Sequence, residues 1–295
     1  MTRSFSGFPA TLAALLAATL FVAACGDSKK DTSTAAGASK AQVAVPAAVK
    51  AKGTLVVGSD ASYPPMESID SDGKTVVGMD ADLAKALAKV MGLKAKVTNA
   101  TFDAIIPGIA SKKYDLGMSA FTDTKEREAT VDFVTYFSAG TSFYAKASGG
   151  PAVDGLADLC GLTVAVEKGT TQADDATAQG KKCTKAGKKD VKVDVFRDQN
   201  GANLALSSGR ANVGMADSPV AAFIVKQSGG RFKLIGTPYG TAPYGIAMPK
   251  DGGLAKPILA AMKALIADGT YQKLLDKYGL ASGAIKTPAI NGAIS

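Results

Sequence analysis

The sequence predicts an α/β protein built as two similar lobes. Short β-branched runs alternate with amphipathic helical stretches along most of the chain. One helix-end, turn and strand pattern occurs twice, at Ser111 to Ala120 and at Ser208 to Asp217. Two polar, glycine-containing stretches around Gly140 and around Tyr239 flank the second occurrence, as crossings between lobes would.

The first segment is an export signal. Arg3 precedes an uncharged run of about 15 apolar residues, from Phe8 to Val22, short of the roughly 20 a bilayer requires. The run ends in Val22-Ala23-Ala24-Cys25, which resembles the lipobox of bacterial lipoproteins and implies cleavage after residue 24 and acylation of Cys25, palmitate included. Residues 25–50 are rich in Ser, Thr, Ala, Gly and Lys without apolar periodicity, and are expected to form a flexible tether.

The globular part then begins. Thr54 to Gly58 suits a buried parallel strand that opens into the polar loop Ser59 to Pro65. Asp80 is placed to cap a helix carrying Leu83, Leu87, Val90 and Met91 on one face, with Gly92 ending it. A strand is expected from Val97, then a helix from Phe102 to Lys112 that Pro107 should kink or break. Leu162 to Val166 is another buried strand, breaking at Gly169 to Gln172 where a helix starts. Lobe two is expected over residues 142–240, and lobe one over 51–141 and 241–295, where Tyr244 to Pro249 returns. Two helices finish the chain, one with Leu254, Ile258, Met262, Leu265 and Ile266 inward, the other from Thr270 to Tyr278.

Composition excludes several classes. The chain has no His, which removes histidine triads, histidine metal sites and the commonest general base near neutral pH. No Gly-x-Gly-x-x-Gly or phosphate-loop pattern follows a strand, so neither a nucleotide nor any other cofactor or metal is expected. The formal net charge of +8 is spread as single lysines, a pattern for solubility or an anionic envelope rather than for nucleic acid. With Cys25 assigned to lipid, Cys160 and Cys183 are left in an oxidising compartment. A disulfide between them is expected, two separate thiols being the alternative, because sequence does not give the Cα separation.

Four segments carry a specific resemblance: Gly58 to Met66, Val77 to Ala84, Phe102 to Pro107, and Phe121 to Arg127. Together with Gly169 to Gln172, Asp217 and Asp268 to Tyr271, they resemble the polar amino-acid-binding proteins of ABC importers. That family includes the histidine-, lysine-arginine-ornithine- and glutamine-binding proteins. The resemblance implies a two-lobed periplasmic-binding-protein-like fold, each lobe a mixed sheet flanked by helices, with two hinge crossings. It implies a monomeric receptor outside the cytoplasm that delivers its ligand to permease subunits, and it explains Pro107.

By the same resemblance, Arg127 grips the ligand carboxylate, and the backbone N–H groups of Thr122 and Thr171 add donors, with Thr170 beside them. Asp217 takes the ammonium, helped by Ser119. Tyr63 and Phe102 sandwich the side chain, Asp60 meets its far end, and Ala120 stands where basic-amino-acid binders carry Ser. Glu167 occupies a position at which the relatives differ, and an acid there suits a cationic side chain. A basic amino acid (Arg, Lys or ornithine) is therefore expected ahead of glutamine. A dehydratase-like enzyme or a sensor domain on the same fold are the readings of other classes, and no catalytic residue is assigned.

Overall fold

The computed structural model describes residues 43–294; the export signal, Cys25 and the tether up to residue 42 lie outside the described residues. The last part of the stretch expected as tether is packed. Val43, Val45 and Val49 rest against the core, and residues 47–52 form helix α1 (Ala47–Lys52).

Strand β1 (Thr54–Ser59) leads into a small antiparallel sheet of β2 (Ser62–Tyr63), β3 (Glu67–Ile69) and β4 (Val76–Val77). Helix α2 (Met79–Val90), strand β5 (Lys94–Asn99), helix α3 (Phe102–Ala110), strand β6 (Leu116–Gly117), the single turn α4 (Lys125–Glu128) and the long strand β7 (Val131–Lys146) follow. Then come β8 (Thr163–Glu167), α5 (Thr171–Lys185), β9 (Lys192–Phe196), α6 (Gln199–Ser208), β10 (Val213–Asp217) and α7 (Ser218–Gln227). Strand β11 (Phe232–Pro249) returns, and α8 (Ala255–Ala267) and α9 (Thr270–Tyr278) close the chain.

One mixed sheet of eight strands runs through both lobes in the order β5-β1-β6-β11-β7-β10-β8-β9. Its two ends are parallel: β1 pairs β5 and β6, and β8 pairs β9 and β10. Between them β7 and β11 pair antiparallel from Phe232↔Lys146 to Pro249↔Val131, with irregular register between Ile235 and Ala242. The two crossings are therefore the middles of long strands. There Tyr239 pairs with Thr141 and Ala242 with Ala139, while the Gly140 carbonyl accepts from the Ser218 hydroxyl at 2.7 Å. Gly140 has a steric reason to be there, since a Cβ would lie 2.6 Å from the carbonyl oxygen of Tyr239.

The helix faces read from periodicity are the buried ones. Leu83, Leu87, Ile258, Met262 and Leu265 join Leu55 and Val57 in a main core, while Phe143, Val164, Val166, Val213 and Met215 form a second. Three local expectations change. Gly78, not Asp80, stands at the N-cap of α2, and Asp80 lies inside the first turn with no exposed surface. The helix α3 runs through Pro107 to Ala110, because Phe102, Ile105 and Ile109 bury one face of a segment only nine residues long. Strand β5 begins at Lys94, earlier than Val97, since its alternating outer residues carry no apolar signal. Cys160 and Cys183 form a disulfide with a Cα separation of 5.6 Å, which ties the turn before β8 to α5.

Candidate functional site

The loop after β1, the N-terminus of α3, the segment from Ser119 to Arg127, the turn after β8 and the end of β10 converge on one small cavity. Tyr63, Phe102, Ser119, Ala120, Thr122, Arg127, Glu167, Thr170, Thr171 and Asp217 line it, together with Gln172. Ten of the eleven expected residues thus meet there. Asp60 does not reach the lining; it lies behind it, 5% exposed.

Arg127 follows Thr124, whose side chain caps the single turn α4 by accepting from the Arg127 N–H. The guanidinium donates to the Thr122 carbonyl at 2.8 Å and to the Gly169 carbonyl at 2.9 Å, the latter 42 residues further along the chain. Its flat face lies 5.4 Å from the Phe102 ring and 5.5 Å from Phe121, and those two rings stack at 4.4 Å. Phe102 therefore packs against the arginine as well as lining the cavity. A planar, permanently charged fork held this way is suited to a carboxylate.

The turn after β8 supplies a second anion-favouring element. Thr170 caps α5, accepting from Ala173 N–H at 3.2 Å while its hydroxyl donates to the Glu167 carbonyl at 2.7 Å. Thr171 is the first residue of this 15-residue helix, where the dipole favours negative charge.

At the end of β10, Asp217 occupies the N-cap position of α7 without making the side-chain cap bond. Its Oδ1 instead accepts from Gln172 Nε2 at 2.8 Å, and the same amide donates to Thr141 at 2.9 Å. Burial pushes the Asp217 carboxyl up to about 6, with the Gln172 and Tyr63 hydrogen bonds and Arg127 opposing that rise. Gln172 was visible in the Gly169 to Gln172 motif but carried no charge to single it out.

Ser119 and Ala120 are set from behind. The Ser119 hydroxyl accepts from Asp60 N–H at 2.8 Å and donates to Glu67 Oε1 at 3.0 Å. Ala120 takes a positive φ of 48° while its N–H donates to Asp80 Oδ2 at 2.9 Å, and Tyr136 donates to the same oxygen at 2.8 Å. Glu67 and Asp80 are fully buried and face each other, with Glu67 Oε2 and Asp80 Oδ1 lacking any other partner. Two carboxyls in contact without a cation share a proton, and burial holds both above the ordinary range. The sequence marks Asp80 as a helix cap within the Val77 to Ala84 segment, but not its pairing with Glu67.

Glu167 closes the remaining side. It is 2% exposed, and burial, then the Asp60 carboxyl, raises its own to about 9. The cavity thus presents a guanidinium and a helix N-terminus, a carboxyl–amide pair, and two further acids. Among the described residues no cluster of His, Cys, Asp and Glu is arranged to hold a metal.

The chain matches the family model of the bacterial extracellular solute-binding proteins, family 3, over residues 55–281. It is 35% identical over 251 residues to an arginine-binding protein of Corynebacterium glutamicum, covering 85% of this chain and 82% of that one. An ancestral arginine-binding protein, solved with arginine and with glutamine, superposes with a TM-score of 0.70 at 38% identity, covering 77% of this chain and 98% of that chain. An ancestral amino acid-binding protein described as a precursor of cyclohexadienyl dehydratase gives a TM-score of 0.70 at 34% identity over 78% of this chain and 97% of its own.

Proposed function

The chain belongs to the bacterial extracellular solute-binding proteins, family 3, a family of receptors that work outside the cytoplasm, and from that premise we propose that it captures a free basic amino acid for an ABC importer. One observation carries the ligand reading: Arg127, on the single turn before β7, and Asp217, at the end of β10, line the same small cavity as Glu167, with Asp60 behind it.

A free amino acid offers a carboxylate, an ammonium and a side chain. In this reading the carboxylate lies on Arg127 and the N-terminus of α5, with the Thr122 and Thr171 N–H groups as donors. The ammonium lies on Asp217, and on Ser119 through its carbonyl. Tyr63 and Phe102 flank the side chain, whose far end meets Glu167 and, behind it, Asp60. Arginine, lysine or ornithine pairs two acids that repel each other when both are ionised, whereas an acidic ligand adds a third negative charge. Glutamine is the second reading, favoured by the relative solved with that ligand.

Lobe one is assigned to residues 51–141 and 241–295 and lobe two to 142–240, so the hinge falls where β7 and β11 lose regular register. Ligand then shifts an open–closed equilibrium by contacts that exist only when the lobes meet. The anchor is assigned to acylated Cys25, the partners to permease subunits, and the receptor to a monomer. Asp217 supports this over a dehydratase-like reading, because a carboxylate placed for an ammonium has no use with a ligand lacking an amine.

A thermal-shift panel of the common amino acids tests the reading. Saturation at about 100 times the dissociation constant adds roughly 2.7 kcal/mol, or several degrees. Arginine, lysine and ornithine are expected to shift the melting point most, then glutamine. A shift with glutamate or aspartate and none with arginine or lysine overturns it.

A further inference from the structure

The distal end of the cavity holds more acid than a cation requires, and the two acids there are not equivalent. Asp60 Oδ1 accepts from Ser62 N–H at 3.1 Å and Oδ2 accepts from Phe102 N–H at 2.9 Å, the first N–H of α3. Both bonds favour the carboxylate form. Glu167 receives none of these: its Oε1 is buried without a partner, and its carboxyl meets that of Asp60. One proton between the two therefore resides on Glu167, which donates to Asp60.

The surroundings keep it there. Asp60 and Tyr63 face Glu167 from the loop after β1, Tyr144 from β7, Asp198 from the start of α6 and Asp217 from β10. All of these are acidic or neutral. The adjacent Lys168 turns away to Asp103, 2.8 Å from its Oδ2, and Arg197 is exposed. Arg127, which lines the same cavity, is turned to the Thr122 and Gly169 carbonyls, so no cation pairs with Glu167, in agreement with its rise to about 9.

We propose that Glu167 sets the choice between a cationic and a neutral amide ligand by its proton. When a guanidinium or ammonium side chain enters, the O–H bond of Glu167 breaks, the proton leaves to solvent, and both carboxylates face the cation. When glutamine enters, the proton stays, and Glu167 donates a hydrogen bond to the amide carbonyl. Capture of a basic amino acid is then linked to proton release, and capture of glutamine is not. The preference for arginine over glutamine grows with pH up to the value at which free Glu167 ionises. This deepens the basic-ligand reading and rests on it.

Calorimetry of the full chain with arginine and with glutamine, at pH about 6, 7 and 8 and in two buffers of different ionisation heat, measures the linkage. Arginine is expected to release about one proton at pH about 7, and its association constant to rise roughly tenfold per pH unit. Glutamine is expected to release none at pH about 7 and 8 and to bind evenly there, while at pH about 6 ionisation of Asp217, raised to about 6, adds a proton share common to both ligands. In Glu167→Gln the proton release and the slope at pH about 7 and 8 both vanish, with the circular dichroism spectrum checking the fold. Arginine binding with no proton release and a flat profile, or a slope that persists in Glu167→Gln, overturns the inference and leaves the basic-ligand reading standing. Glutamine binding without any arginine binding overturns both.

Discussion

The hydroxyl oxygen of Tyr63 accepts a 2.8 Å hydrogen bond from the backbone N–H of Asp217, joining the loop after β1 to the end of β10. Three more contacts cross the same cleft. Gln199 N–H donates to Ser62 Oγ at 3.1 Å, Arg127 donates to the Gly169 carbonyl, and Lys168 pairs with Asp103. In the two-lobed reading these contacts supply part of the closing energy, and removing the Tyr63 hydroxyl should change affinity while the ring that flanks the ligand is kept. In Tyr63→Phe the Asp217 N–H is left unpaired only when the lobes meet, a cost of about 1–3 kcal/mol. Arginine affinity by calorimetry should fall about 5- to 150-fold, and small-angle scattering of the ligand-free protein should show a larger radius. Unchanged values of both exclude a latch.

Arg127 and Asp217 are expected to matter more. Replacing either by Ala leaves a desolvated ligand charge without its partner, at roughly 2 to 5 kcal/mol. Arg127→Lys should also bind poorly, because an ammonium cannot span the Thr122 and Gly169 carbonyls and a carboxylate together. An affinity for Arg127→Ala within about tenfold of the unmodified protein, or 1.4 kcal/mol, contradicts the role.

Stability of the ligand-free protein should fall as pH rises above about 5. Burial raises several carboxyls, among them Asp80 and Asp217 to about 6, Asp123 to about 7 and Glu167 to about 9, with Asp60, Glu67 and Asp174 raised as well. A carboxyl raised in the folded state stabilises it fully below the ordinary value, and that advantage is lost as pH rises through the folded value. Asp103, held low by Lys168, and Asp72, held low by Thr75, work in the other direction and lose their contribution in acid. Melting temperature should therefore peak near pH about 5 and decline toward 9. Asp123→Asn should remove the part of the decline that runs from the ordinary carboxyl range up to about 7. A melting temperature that rises from pH about 5 to 9 is incompatible with these buried acids.

The Cys160–Cys183 bond closes a sequence separation of 23 residues, which by chain entropy contributes on the order of 3 kcal/mol. Reductant, or a Cys160→Ala/Cys183→Ala double substitution, should lower the melting temperature by roughly 6–12 °C for a chain of this size. Both thiols alkylating freely in the non-reduced protein would show that the bond does not form.

Lipid attachment at Cys25 predicts that Cys25→Ser moves the protein from the detergent phase to the aqueous phase. Partitioning unchanged by that substitution argues against the anchor.

Periodicity identified what each segment buries on its own. Leu83 and Leu87 on α2, and Ile258 and Met262 on α8, are inward because a helix of 3.6 residues per turn leaves one face dry, whatever it packs on. The family resemblance singles out Arg127 and Asp217, since by residue type alone an arginine or aspartate among so many charged residues reads as a surface group. Which groups meet across the sheet was not written in any local pattern. That Arg127 reaches the Gly169 carbonyl, that Tyr63 reaches the Asp217 N–H, and that Asp60 stands behind Glu167 depend on the register of β7 against β11 and on the closing of two lobes. The same holds for Glu67 and Asp80. In sequence Asp80 reads as a helix cap and nothing singles out Glu67, and only burial against each other without a cation turns them into the pair that fixes Ser119 and Ala120. A charge's neighbours set its protonation, and those neighbours are distant in the chain.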